Sequence, residues 1–77
     1  MTEFKFKSIG SGYHKAVNDA GDQLALIYYT TTKSGGYHKR RYAAEDTFSG
    51  EAIVPTSEAT TLAKVKEKVR EYLQRGN

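Results

Sequence analysis

QLALIYYTTT at residues 23–32, KSGG at 33–36 and YHKRRYAA at 37–44 form one continuous stretch whose reading decides how this chain folds. The first ten residues are rich in β-branched and aromatic side chains, the types that fit a pleated, half-buried surface. Leu24, Ala25, Leu26 and Ile27 are apolar on both faces, which places this strand in the middle of a sheet. Two adjacent glycines behind Lys33-Ser34 mark a hairpin turn, so residues 37–44 return antiparallel beside it.

Working outward, Phe4 and Phe6 alternate with Lys5 and Lys7, the period-two pattern of a half-buried strand over residues 3–9. Ser8 to Gly12 reads as a turn, and residues 13–18 as a further strand. Asn18-Asp19-Ala20-Gly21-Asp22 supplies the turn chemistry that joins it to residue 23. On the other side, 45–50 is polar and irregular, and 51–54 is either a short edge strand or extended chain ending at Pro55. Beyond it Ala59, Leu62, Val65, Val69, Tyr72 and Leu73 recur at spacings of three and four, predicting a helix over 57–75 capped by Thr56 or Ser57. Arg70 and Arg75 suit its negative pole, and Gly76 is placed to stop it. The expected fold is α+β, a single domain spanning 1–77: an antiparallel sheet of about four strands with one C-terminal helix on one face.

A chain of 77 residues has room for one core and a thin margin of stability. It lacks cysteine, which excludes disulfides, thiolate metal sites and cysteine nucleophiles. Twelve Lys and Arg against nine Asp and Glu give +3, a weak bias toward a polyanionic partner. No apolar run reaches the roughly 20 residues that span a bilayer, and the first residues lack a signal-peptide core. A cytoplasmic protein that does not enter membranes is the expectation.

Turn positions set register. With 19–22 and 33–36 as loops, Val17 opposes Leu24, Tyr13 opposes Tyr28, Ile27 opposes Tyr42 and Tyr29 opposes Arg40. One face then collects Tyr13, Val17, Leu24, Leu26, Tyr28 and Ala43. The other collects His14, Ala16, Ala25, Ile27, Tyr29, Thr31, His38, Arg40 and Tyr42. The first is the more apolar and is expected beneath the helix, leaving the second exposed.

On that expectation the exposed face is an aromatic and cationic patch, and nucleic acid is the favoured partner. Tyr29 and Tyr42 would stack on bases, Arg40, His38 and His14 would make charged contacts, and Lys33, Lys39 and Arg41 would hold phosphates. A three-stranded sheet that reads the major groove and is braced by a helix uses the same parts. That plan is similar to AP2-type and integrase arm-type DNA-binding domains, though no residue motif of either family is present. The alternative is a protein-binding inhibitor or adaptor using Ile27, Tyr29, Tyr42 and Arg40, since Tyr and Arg are enriched at interface hot spots. In size and style such a chain resembles small phage and mobile-element proteins, anti-CRISPR inhibitors among them, and homodimerisation through the same face belongs to this class.

Gly-Tyr-His-Lys occurs at 12–15 and again at 36–39 and contains both histidines. In the expected register these lie on the order of 16 Å apart, too far to share a metal ion. Neither a nucleophile elbow nor a phosphate loop is present, so neither an enzymatic activity nor a cofactor is expected.

Overall fold

The computed structural model describes residues 4–75. The strand start at Glu3 and the helix stop at Gly76 therefore lie outside it. Five strands, β1 (Phe4–Ser8), β2 (His14–Asn18), β3 (Gln23–Ser34), β4 (Tyr37–Asp46) and β5 (Ala52–Val54), form one antiparallel sheet in the order β1-β2-β3-β4-β5. A 3-10 turn at Thr56–Glu58 leads to the helix α1 (Leu62–Arg75). The α+β expectation holds, and the segment at 51–54 is the fifth strand.

The β3–β4 hairpin is longer than expected. Its ladder runs to Ser34↔Tyr37, leaving only Gly35 and Gly36 in the turn, with φ of 58° and 87°. Two positive φ values in succession are those of a type I′ turn, whose twist matches the flanking strands. Because two residues rather than four form the loop, register moves by two: Ile27 pairs with Ala44 and Tyr29 with Tyr42, not with Tyr42 and Arg40. A shift of two preserves which residues share a face. At β2–β3 the expected register holds through His14↔Ile27 and Ala16↔Ala25, then a bulge sets Val17 opposite Gln23 instead of Leu24.

The face under the helix is the opposite of the expected one. Val65 and Val69 of α1 join Ala16, Ala25, Ile27, Ala44 and Val54 in the buried core, with Phe4, Phe6, Tyr42, Ile53, Leu62 and Leu73 packed around it. The deciding strand is β1. Its register, Phe6↔Ala16 and Lys5↔Val17, puts both phenylalanines on the Ala16 side and both lysines on the other. Covering the Leu26–Tyr28 face would have buried Lys5, Lys7, Lys15 and Arg41 under a helix, a desolvation cost without partners to offset it. On the chosen face, three alanines form a floor low enough for the helix to approach Ile27.

The helix starts later than predicted. Thr60 pairs with Tyr42 through two backbone hydrogen bonds of 2.7 and 3.0 Å, holding the chain extended to that point. Thr61 then begins the helix, its carbonyl accepting from the Val65 N–H at 3.0 Å.

At the far end Tyr72 donates from its hydroxyl to the Asp46 carboxylate at 2.6 Å. The other oxygen of Asp46 accepts from the backbone N–H of Phe48 (2.8 Å) and Ser49 (3.1 Å). The Tyr72 hydrogen bond leads in holding the Asp46 carboxyl below its ordinary range, against the opposing effect of partial burial, and the Ser49 and Phe48 bonds assist. A depressed carboxyl stabilises the fold above the unfolded value and loses that contribution as pH falls through the folded one. Asp46→Asn should therefore lower the melting temperature at pH 7, and the gap to wild type should narrow at about pH 3, below the ordinary carboxyl value. Melts followed by circular dichroism at the two pH values test this, and a gap that stays constant would show that the carboxylate charge is not its source.

Candidate nucleic-acid interface

Residues beyond Ile27 on β3 have no β2 partner, so the hairpin runs on past the body of the sheet as a two-stranded ribbon. The molecule is accordingly elongated, 43 × 23 × 19 Å. From residue 23 to residue 44 the chain carries Lys33, Lys39, Arg40 and Arg41 and not one Asp or Glu. Side-chain alternation divides these cations between two surfaces.

On the helix side, past the end of the core, four rings gather: Tyr13 and Tyr29 at 5.3 Å between centroids, Tyr29 and Tyr42 at 6.2 Å, and His14 and Tyr42 at 6.4 Å. The Arg40 guanidinium lies over the Tyr29 ring at 4.5 Å. Gly12 lies beside the same ring, with φ of 88° in a loop where the Ile9 N–H donates to the Tyr13 carbonyl and the Tyr13 N–H to the Gly10 carbonyl, each at 2.9 Å. Burial chiefly, and the nearby Lys66 charge second, hold the His14 imidazole below its usual value. These rings are engaged with one another and with Arg40, which leaves the base-stacking expected of Tyr29 and Tyr42 without support from the geometry.

The other surface is the sheet face that no helix covers among the described residues. Cross-strand rows place Lys7 beside Lys15, then Leu26 and Glu45; Lys5 beside Val17; Tyr28 beside Ala43; and Thr30 beside Arg41. Lys39 follows next to Thr32. Lys5, Lys7 and Lys39 are exposed and Lys15 and Arg41 half-exposed. Glu45 is the acidic residue among these rows.

The residues expected to form one interface are thus split. Tyr29, Tyr42, Arg40, His38, His14 and Lys33 share the helix-side face, while Lys39 and Arg41 lie on the outer one. Ile27, expected at a protein interface, is wholly buried and cannot contact a partner. Lys5, Lys7 and Lys15 were missed. The Phe/Lys alternation of β1 carries their signal, since it sets both phenylalanines on one face and both lysines on the other. Phe48 was missed too: it is 77% exposed on the β4–β5 turn that Asp46 clamps.

Among the described residues no three His, Asp or Glu side chains lie close enough to hold a metal ion. None of the described helices is long and apolar enough to cross a membrane. Fold and surface together define a small α+β protein: a five-stranded antiparallel meander, helix-covered on one face and cationic on the other. Comparisons with protein-family models, curated proteins and solved structures found no match.

Proposed function

We propose that this protein is a non-enzymatic nucleic-acid-binding protein whose contact surface is the β3–β4 ribbon and the outer sheet face continuous with it. The observation that carries this reading is the ribbon itself, an extended element with four cations and no carboxylate across residues 23–44. Its outer face passes directly into Lys15, Lys7 and Lys5. Cations spread along an exposed strand pair displace counterions from a phosphate backbone, and binding built this way weakens steeply with salt.

Fluorescence anisotropy of labelled DNA and RNA at low and physiological salt is the test. Wild type should bind, and Arg41→Glu should flatten the log–log salt dependence by about 1, the loss of one phosphate contact. An unchanged slope in a variant that melts normally would remove the ribbon from the interface. The protein-partner alternative has one feature in its favour, the rigidly presented Phe48, and becomes the reading to pursue if no polynucleotide binds.

A further inference from the structure

We infer that the ligand is double-helical DNA, straddled so that the two phosphate backbones bordering one groove rest on two separate cationic rails of the outer face. This rests on the nucleic-acid reading above and specifies its ligand.

The rails are visible in the register. Lys7 and Lys15 share a row with Leu26, with Lys5 one row pair further toward the body's end. Arg41 and Lys39 lie two and three row pairs from Leu26 in the opposite direction, on the far side of β3. With about 3.3 Å per residue along a strand and about 4.8 Å between strands, Lys15 and Arg41 are about 16 Å apart and Lys7 and Arg41 about 20 Å, while Lys39 stands further out, about 22 Å from Lys15 and about 25 Å from Lys7. Between the rails lie Tyr28, Thr30 and Ala43, with the carboxylate of Glu45 at the Leu26 end of the strip.

This spacing selects among nucleic acids. The major groove of B-form DNA is about 12 Å wide, and a phosphate's thickness on each side puts its bordering phosphate rows about 18 Å apart. The minor groove, about 6 Å wide, would bring them to about 12 Å, inside the rails. A two-stranded ribbon is an element the major groove admits, and Tyr28 and Thr30 of β3 would face the base edges there. A-form RNA offers a narrow, deep major groove instead. Single-stranded ligands call for exposed rings on which bases stack. Among the described side chains of the outer rows the ring is that of Tyr28, which is half-buried, and Tyr13, Tyr29 and Tyr42 pack together on the opposite face.

The experiment compares a labelled DNA duplex of about 20 base pairs, its two separated strands and the RNA duplex of the same sequence, titrated over a salt series. The duplex DNA should bind at least tenfold more tightly than any of the others. Lys7→Glu with Lys15→Glu, and separately Arg41→Glu with Lys39→Glu, should each reduce its salt slope by about 2. Lys64→Glu with Lys68→Glu, on exposed positions of the helix, should leave the slope as it is. Each variant's melting curve establishes that it folds. A single strand or RNA duplex binding as tightly as the DNA duplex, or a folded rail variant with an unchanged slope, would overturn the inference. If the strands bind well and the rail variants still lower their slopes, the duplex assignment fails while the nucleic-acid reading stands. If no polynucleotide binds, both fall.

Discussion

Replacing Ile27 with aspartate should abolish the cooperative unfolding transition, whereas Leu26→Asp, one residue away, should leave a folded protein of lower melting temperature. Ile27 is wholly buried among Ala16, Ala25, Ala44, Val54, Val65 and Val69. A carboxylate there would have to enter the core charged and unpaired, or protonate at a cost of several kcal/mol. A domain of this length has roughly 4–12 kcal/mol of stability in all. Even the milder Ile27→Ala should cost about 2–5 kcal/mol, through lost burial and the cavity left behind. Leu26 is only half-buried on the outer face, where an aspartate can keep its hydration. The pair of variants therefore reads out which face lies under the helix: a folded Ile27→Asp beside an unfolded Leu26→Asp would reverse the arrangement described above.

Gly12→Ala should lower the melting temperature by about 10–20 °C, and Gly10→Ala, in the same loop, by about half as much. Both glycines adopt positive φ, 88° and 89°, so both substitutions meet the left-handed penalty of about 1–2 kcal/mol. They differ in what the new methyl group would touch. At Gly10 nothing lies within 4 Å. At Gly12 the methyl would sit 2.9 Å from a Tyr29 ring carbon, closer than real Cβ contacts come, and 3.0 Å from the Arg40 guanidinium, a tight contact. Relief requires moving the Tyr29 ring, already packed against Tyr13 and Tyr42, and overpacking of this kind costs about 1–3 kcal/mol more. Thermal melts of the two variants separate the contact from the backbone strain. Equal losses would mean that Tyr29 and Arg40 give way freely, and the ring cluster would then not be a packed unit.

That cluster bears on the functional proposal. Tyr29 carries Arg40 over its ring face and packs against Tyr42, so the two tyrosines of the expected stacking site serve to brace the root of the ribbon. Rigidity at the root matters for an element that projects past the sheet, because an ordered ribbon loses less conformational entropy when it binds. The same physics explains why mutating Arg40 alone would be a poor probe of phosphate contact: it would change the packing on Tyr29 together with the charge. Arg41 is a cleaner position, and Lys7 and Lys15 cleaner still because they lie on the sheet body.

Four of the five strands, the helix and which residues of β3 and β4 share a face were legible in the chain itself, because they depend on local alternation, turn chemistry and 3.6-residue periodicity, while 51–54 stayed open between edge strand and extended chain. The shift of two in the β3–β4 register shows the tolerance of such reasoning. Gly35-Gly36 marked the turn, but whether Lys33 and Ser34 belonged to the loop or to the ladder depended on pairing that continues to Ser34↔Tyr37. The helix start was hidden for a similar reason. Thr56 and Ser57 are good caps, but Thr60 is held in the extended state by Tyr42, eighteen residues earlier.

Which face the helix covers was decided only by tertiary structure. Counting apolar side chains on β2, β3 and β4 favoured the Leu26–Tyr28 face, because larger residues suggested greater burial. The folded protein instead covers the face where alanines leave space, Ile27 fills it and β1 adds two phenylalanines, since the alternative would have sealed lysines and an arginine away from water. A choice of that kind balances the desolvation of charges on one strand against packing on three others. No single segment contains that balance, and it set which cations remained at the surface to meet a partner.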